Sequence, residues 1–155
     1  QLLPDSQTDR FMIRLSIGYP APADELDMVR RKQGGDPLEQ VRQVLDLAGL
    51  AALREQAGRV YVSDEVLDYI IRLVNATRTH PMIVQGASPR ASLALTAMAK
   101  AAALVLGRDY VEPEDVSMVF ADVVAHRLIL SPRAEASGGF DLSEILRQVH
   151  PPKIG

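Results

Sequence analysis

The sequence has 155 residues, a formal net charge of −3 and no cysteine. This is enough chain for one domain or one and a half, with a full core, and scattered Lys and Arg under a negative net charge argue against a nucleic-acid-binding face. Without cysteine there is neither a disulfide framework nor a thiolate metal site, and His80, His126 and His150 are too widely spaced for a metal motif. No uncharged apolar run reaches the roughly 18 residues of a membrane span, because Lys100 interrupts the best candidate. No signal peptide is visible, so the expected location is the cytoplasm. The chain opens at Gln1 without a methionine and reads as a piece of a longer protein.

A polar lead-in carrying Pro4 precedes strict alternation: Phe11, Ile13, Leu15, Ile17 and Tyr19 share one side, a period of two that predicts a strand over 11–19. Pro20 ends it, and Pro22 opens a helix with Asp24 and Glu25 in its first turn, Arg30, Arg31 and Lys32 in its last, and Gly34-Gly35 beyond. The stretch 36–44 is a connector, and a helix over about 46–57 follows. Val60-Tyr-Val62 reads as short and extended. Ser63 then caps a helix whose Leu67, Ile70, Ile71 and Val74 make an apolar stripe, closed by Arg78, His80 and Pro81. After a loop over 82–87 comes a long helix to about Leu106, ended by Gly107. Asp109-Tyr-Val111 is again extended, and Glu112 or Pro113 starts a helix to about His126 with Val116, Val119, Phe120, Val123 and Val124 on its core face. Residues 128–140 read as a loop, and 143–149 as a terminal helix stopped by Pro151-Pro152.

The long helix organises the rest. Ser88 and Pro89 are a cap and a first helical residue, and the following run of Ala, Leu, Met and Val predicts a helix buried on nearly every side. Arg90 is the exception. It falls in the first turn, where the macrodipole is positive and disfavours a cation by roughly 0.3–1 kcal/mol. Either an anion lies between its guanidinium and the free backbone N–H groups, as helix N-termini favour, or Arg90 pairs with an acidic side chain from elsewhere. His126 and Arg127 read as residues that satisfy the terminal carbonyls of their own helix, Arg78 as structural, and Arg108-Asp109 as a local turn pair.

Read in order, Leu-Pro-Asp-Ser-Gln-x-Asp-Arg-Phe (3–11), Tyr-Pro (19–20), Ala-Thr-Arg (76–78), Gly-Ala-Ser-Pro-Arg (86–90), Gly-Arg-Asp-Tyr-Val (107–111), Pro-x-Asp-Val (113–116) and His-Arg-Leu (126–128) resemble the C-terminal part of MoxR-type AAA+ ATPases over essentially the whole chain. The resemblance implies a mainly α fold: a lid bundle of about four to six helices over 21–155, preceded over 1–20 by the end of an α/β ATPase core with its last strand. No Gly-x-x-x-x-Gly-Lys-Ser/Thr occurs, so the phosphate loop and the acidic Mg²⁺ motif would precede this segment. Gly-Ala-Ser-Pro-Arg is similar to the family's sensor 2, which implies that Arg90 reaches the γ-phosphate of ATP bound to the same subunit. Asp-Arg-Phe is similar to the family's arginine-finger motif, although Thr8 stands where leucine is usual. It implies that Arg10 acts on a neighbouring subunit's ATP, the alternative being a surface salt bridge. The resemblance further implies ATP and Mg²⁺ in the full-length protein, a ring that is a hexamer, and chaperone-like remodelling or metal-cofactor insertion in a client, with a partner carrying a von Willebrand factor A domain. The rival expectation is a stand-alone helical module that binds a partner protein and no nucleotide.

Overall fold

The computed structural model describes residues 4–153. In chain order they form α1 (Asp5–Thr8), α2 (Pro22–Gln33), a 3₁₀ turn (Pro37–Gln40), α3 (Leu47–Arg59), α4 (Asp64–Thr79), β1 (Ile83–Gln85), α5 (Pro89–Val105), α6 (Pro113–Val124), a second 3₁₀ turn (Ala125–Arg127), β2 (Ile129–Leu130), α7 (Pro132–Ala136) and α8 (Ser143–Gln148). The fold is mainly α, as the sequence implies. The chain divides into two compact units: the chain up to Arg14 together with that from Arg54 onward, and Leu15–Leu53.

In the larger unit, α4, α5 and α6 build the core. Ser63 caps α4 by accepting the Val66 N–H at 3.3 Å, and Val66, Tyr69, Ile70, Leu73 and Val74 are buried along one stripe. Helix α5 meets this stripe with small residues, Ala91, Ala94, Ala99 and Ala103, and one large one, Leu95. Small side chains let helix backbones approach closely, and α6 fills the remaining space with Val116, Phe120, Val123 and Val124. Burying each of these valines and the phenylalanine contributes roughly 1.5–3 kcal/mol before entropy is subtracted. Ile145 of α8 is also buried in this core, and α8 packs against α4. Tyr69 keeps its hydroxyl satisfied against Ser117 Oγ at 3.2 Å.

The two short extended stretches pair through a parallel bridge between Tyr61 and Tyr110. Strands form at β1 and β2, which pair antiparallel with Ile83 opposite Leu130 and an irregularity before Gln85; both lie where the sequence reads as loop. By contrast, 13–20 forms neither helix nor strand. Ile13 packs against the core and the Arg14 N–H donates to the Asp122 carbonyl at 2.9 Å, but Ile17 and Tyr19 are fully exposed. Alternation marks which residues share a face, whereas a strand also needs a neighbour's backbone for its hydrogen bonds. Helix α5 departs from expectation too. Leu93 and Val105 are 74% and 85% exposed. The alanines that make α5 look uniformly apolar are what separate its packed face from the open face of Arg90, Leu93 and Ala97.

In the smaller unit, α2 has the polarity expected for its ends and buries no residue. Arg31 pairs with Asp27 at 2.5 Å and Lys32 with Asp36 at 2.7 Å. The hydrogen bond from Lys32, and one from the Leu38 N–H, hold the Asp36 carboxyl below the usual carboxylate range.

Candidate functional site

The start of α5 is held in place by the end of α4. Thr77 is fully buried; its hydroxyl donates to the Val74 carbonyl at 2.6 Å and accepts the Ala87 N–H at 3.0 Å. Arg78 Nε donates to the Ala87 carbonyl at 2.9 Å, and its Nη1 donates to Asn75 Oδ1 at 2.8 Å. Both polar groups of the Ala87 backbone are thus satisfied by consecutive side chains of α4. Gly86 is required here by space. A Cβ at this position would lie 2.6 Å from Arg78 Cα and 2.7 Å from the Thr77 carbonyl oxygen, closer than real atoms approach. Ala-Thr-Arg and Gly-Ala are therefore two halves of one joint, and Arg78 is structural, as its position at the end of a helix suggests.

That joint aims Ser88 and Arg90. Ser88 Oγ accepts the Arg90 N–H at 3.2 Å as the N-cap and donates to the Asp9 carboxylate, 3.1 Å from both oxygens. Arg90 extends outward with 62% of its side chain exposed, and its Nη1 lies 3.8 Å from Asp9 Oδ2. The acidic partner envisaged as the alternative for Arg90 is thus present, but at the limit of ion-pair range. Exposed pairs of this kind contribute at most about 1 kcal/mol. Asp9 is engaged more closely by Ser88 and by a second arginine.

That second arginine is Arg127, in the 3₁₀ turn after α6. Its side chain is 2% exposed. Nε donates to the Val123 carbonyl at 2.8 Å; Nη1 donates to the Asp9 carbonyl at 2.5 Å and to Asp9 Oδ1 at 2.9 Å; Nη2 donates to the Phe11 carbonyl at 2.6 Å. His126 Nε2 is also 2.9 Å from the Phe11 carbonyl. The expectation that these two residues serve the carbonyls of their own helix holds for the Val123 bond alone. Their other bonds reach across to the segment that carries Arg10. Spacing held a signal for this: Val116, Phe120, Val123 and Arg127 lie at i, i+4, i+7 and i+11, so Arg127 continues the core stripe of α6. A cation on a buried stripe needs partners.

Arg10 sits between the two clamped carbonyls. Its N–H donates to the Gln7 carbonyl at 3.1 Å, and the Phe11 N–H donates to the Thr8 carbonyl at 3.1 Å. Its side chain is exposed and, among the described residues, its guanidinium has no hydrogen-bond or ion-pair partner. Arg10, Arg90 and Arg127 line one shallow groove of about 240 Å³ with Asp9, Met12 and Leu93. Two of the guanidiniums, those of Arg127 and Arg90, meet the Asp9 carboxylate, and the side chains of Arg10 and Arg90 are exposed. Such a groove suits the oxygens of a phosphate chain. No group of acidic or histidine side chains among the described residues is placed to hold a metal ion.

Arg108 pairs differently from the local turn expected. It meets the buried Asp115 with Nη1 at 2.7 Å and Nη2 at 2.5 Å, and Glu112 at 3.4 Å. Asp115 also accepts the Glu112 N–H at 2.8 Å, closing the first turn of α6. Burial pushes the Asp115 carboxyl up, but the Arg108 hydrogen bonds and the Glu112 N–H more than offset this and hold it below its ordinary value. Tyr110 stays at the edge beside Arg108, with the guanidinium 5.8 Å from its ring centre.

The helical bundle that carries this groove is a lid of the AAA+ type: residues 75–149 match the AAA lid domain family. The chain is 38% identical to the chaperone MoxR1 of Mycobacterium tuberculosis over 98% of its own length and 43% of the relative. It is 31% identical to the protein MoxR of Paracoccus denitrificans over 86% of its length and 45% of that protein. A crystal structure of a candidate ATPase from Cytophaga hutchinsonii superposes with a TM-score of 0.90 at 35% identity, covering 99% of this chain and 50% of that one. The chain belongs to the MoxR-type AAA+ proteins and corresponds to their C-terminal, lid-bearing part. It spans somewhat under half the length of these curated relatives.

Proposed function

We propose that this chain supplies two arginines to ATP hydrolysis by a MoxR-type AAA+ ring, a hexamer working in the cytoplasm. Arg90 takes the role of sensor 2, contacting the γ-phosphate, and Arg10 that of the arginine finger. The observation that carries this reading is that both cations are left exposed on well-held backbone. Arg90 stands in the first turn of α5, where it adds nothing to the helix, and Arg10 is held on a fixed backbone with its charge unpartnered among the described residues. Positioned cations of this kind stabilise the charge that develops on a transferred phosphoryl group. Bound ATP supplies the phosphoanhydride that is cleaved. Mg²⁺ would be held by the acidic motif that the family resemblance places in the ATPase core. The driven process is chaperone-like remodelling or metal-cofactor insertion in a client protein, through a partner with a von Willebrand factor A domain. The relative named a chaperone supports the remodelling.

Arg90→Ala and Arg10→Ala in the full-length protein test the reading. Each is expected to lower ATP turnover by roughly 10- to 1,000-fold, the range for loss of a positioned charge stabiliser, with the thermal midpoint little changed. Unchanged turnover in either variant removes that residue's assignment. Mixed rings that combine Arg10→Ala subunits with active ones then report whether Arg10 acts across the subunit boundary.

A further inference from the structure

The geometry points to Arg127 and Asp9 as positioning residues for Arg10, an inference that rests on the finger role proposed above. A flexible side chain delivers its charge to a defined point only if its backbone is fixed, and misplacement by about 1 Å can cost on the order of 100-fold in rate. Here the peptide carbonyls on both sides of Arg10 are held by the same guanidinium. Arg127 Nη1 holds the Asp9 carbonyl and Nη2 the Phe11 carbonyl, at 2.5 and 2.6 Å. The planar fork suits an arginine to this clamp: its three nitrogens reach the Val123, Asp9 and Phe11 carbonyls and the Asp9 carboxylate together, more acceptors than the three donors of a lysine ammonium can serve. Arg127 is itself immobile, since it is buried and its Nε is tied to the Val123 carbonyl of α6.

Asp9 completes the arrangement. Its carboxylate compensates the buried guanidinium at 2.9 Å and accepts the Ser88 hydroxyl at 3.1 Å. The N-cap of α5 and the clamp on Arg10 therefore share one anion. Arg10 is anchored to the same three elements that orient Arg90, namely α4 through the Ala87 joint, the first turn of α5, and the end of α6. The lid thus fixes where Arg10 is presented, together with the bonds from the Arg10 and Phe11 N–H groups back to α1.

The test is a double-mutant cycle on the full-length protein, measuring ATP turnover for wild type, Arg10→Ala, Arg127→Met and the double variant. A positioning role predicts that Arg127→Met lowers kcat by about 10- to 100-fold with KM for ATP unchanged, the pattern of an interaction made in the transition state. In the Arg10→Ala background the same substitution should cost nothing further, because there is no guanidinium left to position. A merely structural contribution would slow both backgrounds equally, and that result overturns the inference, as does unchanged turnover in Arg127→Met alone. Loss of effect in Arg10→Ala itself is a separate outcome, which removes the finger reading on which the inference rests. Should Arg127→Met fail to fold, Asp9→Asn replaces it in the cycle, since it retains Arg127 and its bonds to the backbone carbonyls. The same non-additivity with Arg10→Ala supports the inference, and additivity or no effect overturns it.

Discussion

Two carboxylates, Asp9 and Asp115, each compensate an arginine that would be costly to leave unpaired. Asp115 is fully buried and receives both Nη groups of Arg108. Removing one member of a buried pair strands the other, so Asp115→Asn should destabilise the fold by about 3 kcal/mol at neutral pH. The sign of the pH dependence follows from the direction of the shift. Asp115 titrates below its unfolded value of 3.8, so its stabilising contribution is present above that value and is lost as pH falls through the lower, folded one. Urea unfolding of wild type and Asp115→Asn at pH 7 and at about pH 3 should show the gap between them narrowing in acid. A gap that is constant with pH would mean that the pair's charge is not what stabilises this turn.

At the scale of the element, the start of α5 owes its position to α4. Ser88 and Pro89 are enough to begin a helix, but the direction in which it begins is set by Gly86 lying on the backbone of Thr77 and Arg78. Gly86→Ala places a methyl group against main-chain atoms that have no rotamer to move, and overpacking of this kind costs roughly 1–3 kcal/mol. The expected result is a lower urea midpoint together with faster amide exchange at Ala87 and Ser88, whose cap and carbonyl contacts depend on the joint. Normal exchange there would show that the joint yields without disturbing the cap. The Gly-Ala-Ser-Pro-Arg motif thus divides into two tasks: its first two residues dock, and its last three cap and present a cation.

At the scale of the whole molecule, residues 4–14 belong to the same compact unit as the lid helices, and Arg127 is one of the residues that tie them to it. Its bonds to Asp9 and Phe11 span 118 and 116 residues of sequence. In the 155-residue chain, Arg127→Met should cost on the order of 3 kcal/mol by stranding Asp9 and the clamped carbonyls. In a chain lacking residues 1–14 those partners are gone and solvent reaches the guanidinium, so the same substitution should be near neutral. Urea midpoints of the four proteins decide this, and an equal cost in both chains would place the value of Arg127 in its Val123 contact alone.

Local chemistry written in the sequence determined where α4, α5 and α6 begin and end and which face of α4 and α6 is apolar. Ser63, Ser88 with Pro89, and Gly107 at φ 80° act within a turn of themselves, and they sit where their residue types demand. The anomalous cation at Arg90 was legible for the same reason, because the helix dipole is a local field. Tertiary structure alone decided which carboxylate the buried Arg127 meets, and that Arg10 and Arg90 share a groove. Those pairings join segments eighty or more residues apart, and no period within one element specifies a partner in another. The strand expected over 11–19 marks the same boundary from the other side. Its alternation is a property of the sequence, whereas a ladder exists only where a second backbone lies alongside to receive its hydrogen bonds.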